Sequence, residues 1–162
     1  MYTMPEPFEM RQVNAGDQVF LEDLYFSSRE DMHHAVPDAG VLRQLIAMQR
    51  RAQQAGLEQN YPEAQHLVIL HHGVPVGRAV VNSGPAELRL VDIAIAPAAR
   101  RIGAARAVLR ALQDVAVIRG LPVRLAVAKS NDAARKLYLG LGFTLRSEDP
   151  VVEEMAWTGG AA

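Results

Sequence analysis

Ile93-Ala94-Ile95-Ala96-Pro97-Ala98-Ala99-Arg100-Arg101-Ile102-Gly103-Ala104-Ala105-Arg106 is the stretch that decides how this chain is read. Its first half is apolar enough for a central strand, and Pro97 closes it. Its second half opens a helical pattern whose first turn lacks bulky side chains. The start of a helix presents N–H groups without intrahelical partners, together with a partial positive charge, and so accepts phosphate. Glycine and alanine let an anion approach that backbone, and flanking arginines add charge where it would sit. G-x-G-x-x-G and G-x-x-x-x-G-K-[ST] are both missing, so neither a Rossmann turn nor a P-loop is spelled out. The remaining diphosphate reader of this shape is R-x-x-G-x-[GA], met by Arg100, Gly103 and Ala105. Between Ile93 and Gln113 stand Arg100, Arg101, Arg106 and Arg110 with no acidic residue. By composition alone such a run is equally well a solvated face; its place at a helix start favours an anion site.

The elements around this stretch follow from periodicity. Upstream, Phe8 to Val13 alternates as a half-buried strand. Asn14 and Asp17 offer helix-start chemistry before Val19, Phe20, Leu21, Leu24 and Tyr25. A second helical pattern covers 38–55 with Gly56 as its stop, and His33, His34 and Pro37 read as a turn between the two. Leu67 to Leu70 and Val74 to Asn82 form a hairpin about His72-Gly73, and Glu87 to Ala96 is the third strand. Downstream, a helix runs over 103–119 and ends at Gly120, Val123 to Ala128 is a strand, and Ser130 or Asn131 caps a short helix through Leu139. Phe143 to Leu145 and Val151 to Trp157 make a final antiparallel pair, and Thr158 to Ala162 should fray. The expected fold is α/β, a mixed and mostly antiparallel sheet with about four helices, in one domain over 1–162.

Downstream of the arginine loop lies Asn131-x-x-Ala134-x-x-Leu137-Tyr138-x-x-Leu141-Gly142-Phe143. The two runs together resemble the GCN5-related N-acetyltransferase (GNAT) family: the first looks like its coenzyme A loop, the second like its N-x-x-A-x-x-L-Y-x-x-L-G-F signature. The likeness covers Leu67 to Trp157 well, while residues 1–60 match only in element order. Two departures stand out. The common form of the loop is R-G-x-G-[IL]-G, and here Arg101 replaces the first glycine and Ala105 the last. Arg101 implies a loop with no forced positive φ at that position.

The resemblance implies a sheet splayed at a coenzyme cleft between the strand 87–96 and the strand 123–128. Acetyl-coenzyme A would be held by Ile93, Ala94, Ile95, Arg100, Arg101, Ile102, Gly103, Ala104, Ala105, Arg106, Asn131, Ala134 and Tyr138. Its amides would pair with the main chain of Ile93 and Ile95 as a pseudo-strand, and an N–H group there would stabilise the tetrahedral oxyanion. Tyr138 sits where the family's general acid sits. Thiols near pKa 8.5 and phenols near 10 are close enough for that proton transfer. Packing of the short helix is the competing account of Tyr138, and capping alone would explain Asn131.

An amine must lose a proton before it attacks. Asp92 and Glu87 are the carboxylates at hand on that strand. Five apart, they point to opposite faces of a regular strand, unless a bulge intervenes. Asp92, flanked by Val91 and Ile93, is the better base, because a buried unpaired carboxylate is costly; Glu87 reads equally as a solvated strand end. Leu125 to Ala128, where some relatives carry the base, has no carboxylate.

The expected activity is therefore transfer of an acetyl group from acetyl-coenzyme A to a primary amine of a small molecule or peptide, by direct attack. The competing reading is a non-catalytic acyl-coenzyme A binder of the same fold. Bulk properties narrow the rest. The chain has 162 residues, a net charge of −1, 22% charged and 49% hydrophobic residues, and no cysteine. That excludes disulfides and thiolate chemistry and fits a reducing cytoplasm. No apolar run is long enough to span a membrane, and Met1 to Met10 lacks the features of a secretion signal. Adjacent histidines with no carboxylate spaced to join them argue against a metal site. The arginines lack aromatic partners, which argues against nucleic acid. A homodimer is common in the family it resembles, and the sequence does not choose an oligomeric state.

Overall fold

In a computed structural model, residues 2–159 are described, and seven strands form one sheet in the order β1-β2-β3-β4-β5-β7-β6. The strands are β1 (Phe8–Gln12), β2 (Gln65–His71), β3 (Val74–Ser83), β4 (Leu88–Ile95), β5 (Val123–Ala128), β6 (Thr144–Glu148) and β7 (Val152–Trp157). Every pairing is antiparallel except that of β4 with β5. Five α-helices accompany them: α1 (Gln18–Ser28), α2 (Glu30–Ala35), α3 (Ala39–Asn60), α4 (Ala104–Arg119) and α5 (Asp132–Gly140). The fold is the mixed, mostly antiparallel α/β arrangement expected. The fraying expected of 158–162 concerns residues that, from 160 on, lie outside those described.

Two expectations are corrected. The stretch holding His33 and His34 is helix α2, with Glu30 and Asp31 in its first turn and the histidines in its last. Those charges suit the two ends of a helix dipole, a pattern hidden by the nearby Pro37. Second, α3 does not stop at Gly56 but continues to Asn60. One glycine costs a helix only about 1 kcal/mol, and α3 is anchored by the buried Leu42 and Ile46 and packs on α1.

Strand alternation divides the core into two layers. Leu67, Ile69, Ala79, Val81, Leu88 and Leu90 face α4, which supplies Val108, Leu109 and Leu112, and α5 joins the same layer through Leu137, Tyr138 and Leu141. Val68 and Val80 turn to the other side and are fully buried there, where α1 and α3 pack on each other and α1 reaches β3 and β4. Each α4 end is set by glycine: Gly103 precedes it and Gly120 closes it, both left-handed.

Candidate active site

The parallel pairing of β4 with β5 is short. Leu88, Arg89 and Leu90 pair with Val123, Arg124 and Leu125, and there the ladder ends. Past Leu90, β4 carries one residue too many against β3, since Val81 faces Leu90 while Val80 faces Asp92. Val91 is thus a β-bulge, which bends a strand and re-aims the side chains beyond it. A cleft of about 910 Å³ opens past this point, and a smaller cavity of about 160 Å³ lies in the gap itself.

At its outer end the cleft is lined by Arg100, Arg101, Gly103, Ala104, Ala105 and Arg106. Pro97–Ala99 forms a single 3-10 turn, and α4 then starts with no side-chain cap on its N–H groups. Arg101 corrects the sequence reading: its φ is +68°, and that of Gly103 is +90°. The turn needs left-handed backbone at both positions to swing the chain into α4, whichever residue is present. A non-glycine residue accepts that conformation at about 1–2 kcal/mol. Ile102, between Arg101 and Gly103, is 40% exposed and its neighbours, not it, line the cleft.

The inner wall is made by Ile93, Ala94 and Ile95 from β4 and by Asn131, Ala134 and Tyr138 from the start and body of α5. Asn131 Oδ1 accepts from the Ala134 N–H at 3.2 Å, so it caps α5 and faces the cleft at once. Tyr138 is buried, with its ring 5.9 Å from that of Phe143. Burial, and secondarily the charge of Asp92, push its phenol above the ordinary tyrosine range.

Asp92 and Tyr138 both line the small cavity in the gap. They arrive from opposite layers. Tyr138 rises from the α4 and α5 side, while the bulge places Asp92 on the α1 and α3 side with Arg78 and Arg89. Arg78 Nη2 donates to Asp92 Oδ2 at 2.9 Å. With the bulge, Glu87 no longer falls on the face opposite Asp92, yet it does not reach the gap. It precedes β4, lies 3.5 Å from Arg89 and 3.8 Å from Arg124, and lines neither cavity. The carboxylates of β7 are also engaged: Glu154 with Arg89 at 2.6 Å and Glu153 with Arg135 at 2.7 Å. Among the described residues no group of three His, Asp or Glu could hold a metal ion.

Several wall residues were not legible in the sequence. Ala99, Ala133 and Leu137 line the cleft as neighbours of the motif residues, and Ser28 reaches it from the end of α1 with no local signal at all. Arg78 had a signal: a charge inside the apolar run Val74 to Val81 needs a buried partner.

The sequence and fold now have known counterparts. No curated protein matches the sequence significantly. The PaiA N-acetyltransferase of Thermoplasma acidophilum in complex with coenzyme A superposes with a TM-score of 0.67 at 14% identity, covering 93% of this chain and 98% of that one. The ribosomal L7/L12 alpha-N-protein acetyltransferase RimL in complex with coenzyme A gives 0.69 at 15% identity, with 99% of each chain covered. The Escherichia coli ribosomal-protein-S18-alanine N-acetyltransferase gives 0.62 at 23% identity, with 96% of each chain covered. At these identities the likeness is one of fold. A family model described as Acetyltransferase (GNAT) family matches residues 17–143. That span carries the arginine loop, the Asn131 to Phe143 run and the open end of the β4–β5 pair, and the chain belongs to the GNAT acetyltransferase family.

Proposed function

We propose that the protein is an acetyl-coenzyme A-dependent N-acetyltransferase that acetylates a primary amine of a small molecule or peptide. One observation carries this: the gap beyond Leu90 joins an uncapped, arginine-flanked helix start to a cavity walled by Asp92 and Tyr138. The donor set fits the coenzyme. The start of α4 and the guanidinium groups of Arg100, Arg101 and Arg106 suit a diphosphate. The β5-facing main-chain groups of β4 beyond Leu90 have no strand partner and suit the amides of a pantetheine arm.

Acetyl-coenzyme A supplies the thioester carbon that the amine attacks and the sulfur that departs when the C–S bond breaks. The chain's own groups manage the protons. An amine of lysine type, with a pKa near 10.4, is largely protonated at neutral pH. Asp92 Oδ1, which takes no hydrogen bond from the described residues, is the group to accept its proton. The raised titration of Tyr138 keeps its phenol protonated at neutral pH, ready to donate to the departing sulfur.

Calorimetry with acetyl-coenzyme A, followed by thiol release against a panel of amines, tests the reading. Binding with amine-dependent thiol release is expected. No binding at millimolar coenzyme would end it, and binding with no release from any amine would favour an acyl-coenzyme A binder instead.

A further inference from the structure

We infer that Arg78 is a positioning residue for the transfer: from the middle of β3 it holds the Asp92 carboxylate at the mouth of the β4–β5 gap, facing Tyr138. The inference rests on the reading that Asp92 takes the proton of the amine.

The first argument concerns what Arg78 costs where it sits. It is only 9% exposed, and Val68 and Val80, on the same face, are fully buried aliphatics. A packed hydrophobic residue would suit that environment at least as well, because a buried ion pair is often no more stabilising than the apolar side chains that could replace it. Its presence calls for a reason other than stability. The second argument is geometric. Arg78 lies opposite Ala94, and Val80 lies opposite Asp92. The small Ala94 side chain leaves the guanidinium room to cross diagonally, and Nη2 reaches Asp92 Oδ2 at 2.9 Å. This meeting depends on the bulge at Val91. On a regular strand Asp92 would turn to the α4 side, and Arg78 would have no anion.

The third argument comes from α3. Its inward stripe begins with buried Leu42 and Ile46 and then turns polar with Gln49 and Gln53, one and two turns further on. Gln53 Oε1 lies 3.5 Å from the same Nη2, and Gln49 Oε1 is buried with no hydrogen-bond partner among the described residues. The stripe thus changes from apolar to amide along α3, and its Gln53 meets the guanidinium. Arg78 engages only Oδ2, which leaves Oδ1 for a proton. A carboxylate fixed in this way stays in a near-attack position, and a misplacement of about 1 Å costs roughly 10²-fold in rate.

The test has a reading that needs no acceptor. In the coenzyme-free protein, the phenol of Tyr138 is titrated by ultraviolet difference against Tyr138→Phe. The charged groups on the facing elements are Arg78 of β3, Asp92 and Arg89 of β4, and Glu154 of β7. Asp92→Asn removes a nearby negative charge, so Tyr138 titrates lower. Arg78→Gln also removes a cation, which by itself raises Tyr138, and that direct effect is read in the Asp92→Asn background. Beyond it, the freed carboxylate moves into solvent and Tyr138 shifts down, less so in Arg78→Lys. If Asp92→Asn moves Tyr138 and Arg78→Gln gives the same shift in the wild-type and Asp92→Asn backgrounds, the positioning role is overturned while the Asp92 reading stands. If Asp92→Asn moves nothing, both fall together.

The second measurement is turnover, with acetyl-coenzyme A and whichever probe is acetylated among a free-N-terminus peptide, an Nα-blocked lysine peptide and spermidine. Arg78→Gln should lower kcat at least about tenfold with coenzyme affinity within about twofold, and should add less than about twofold in an Asp92→Asn background. Additive losses would mean that Arg78 acts on the fold and not through Asp92. Should Arg78→Gln fail to fold, Arg78→Met decides: wild-type kcat would overturn the inference, because no donor then remains on β3 to hold Oδ2.

Discussion

The two ends of the β4–β5 pair are made from the same two strands and do opposite things. At the closed end, Leu88, Val123 and Leu125 are at most 2% exposed, and the charges at its rim, Glu87, Arg89, Arg124 and Glu154, neutralise one another. At the open end the side chains shrink to Ala94, Ala126 and Ala128, the ladder is missing, and Asp92, Asn131 and Tyr138 surround the gap. The bulge at Val91 lies between them. One additional residue ends the pairing and also turns Asp92 away from the hydrophobic layer. The comparison teaches that the closed end fixes where the gap begins, because β4 and β5 stay paired and buried up to Leu90 and part only past the bulge. Stability and chemistry are thereby assigned to different halves of one strand pair.

Substitutions at the two ends should therefore have different readouts. Tyr138→Phe removes only a hydroxyl from the open end. Turnover should fall by about 10²–10⁴-fold with coenzyme affinity and thermal midpoint near those of the wild type. Leu88→Ala acts on the closed end, at a residue that lines neither cavity. Truncating so buried a leucine costs about 2–5 kcal/mol of stability, read as a lowered urea midpoint, while turnover per folded molecule stays within a few-fold. If folded Leu88→Ala protein were as inactive as Tyr138→Phe, the two halves would not be separable and the comparison would break.

The outer turn sharpens the same contrast, since its strain belongs to the open side. A Cβ at Gly103 would meet nothing within 4 Å, yet the residue has a φ of +90°. Gly103→Ala thus loses conformational energy and no space, about 1–2 kcal/mol. Coenzyme affinity should drop by roughly tenfold in calorimetry as the turn relaxes away from its left-handed form. Arg101→Gly makes the opposite change in backbone preference at a φ of +68°. It should raise the thermal midpoint slightly while weakening coenzyme binding through the lost guanidinium.

The part of the molecule from Leu67 onward was legible because its signals are local. Pro97, the small residues at 103–105 and the Asn131 cap state their own geometry, and the structure places Gly103, Ala105, Asn131 and Tyr138 on one cleft. What was not legible depends on residues far apart in the chain. Arg101 takes a left-handed conformation that its own side chain disfavours, so its identity argued the wrong way. The Val91 bulge shows only in the register against β3, and without it Asp92 could not be assigned to a face. Gly56 is a local breaker that α3 runs through, whereas Pro37 does break the chain between α2 and α3; what the turn signal hid was the short helix before it. Glu87 and Asp92 looked alike as carboxylates on one strand, and only their partners, Arg89 and Arg124 against Arg78, tell them apart.

The smallest effect is expected where the open end is braced from behind. Its β5 half is unpaired towards β4 but fully paired with β7, where Val127 faces Glu153. Arg135 of α5 grips that carboxylate with Nε at 2.7 Å and Nη2 at 3.4 Å, so the helix that carries Tyr138 is tied to the strand behind the gap. The hydrogen bond from Arg135 holds the Glu153 carboxyl below its ordinary range. A carboxylate with a lowered folded-state pKa contributes stability above its unfolded value and loses it as pH falls through the folded one. Arg135→Gln should therefore lower the urea midpoint modestly near pH 7, and the difference from wild type should close as pH falls below the ordinary glutamate range. Turnover should dip by a few-fold at most, because β7 still pairs with β5 along its whole length. A loss of activity as large as that of Tyr138→Phe would mean that the placement of α5 depends on this one ion pair, and the open end would then owe less to the zipped end than the comparison holds.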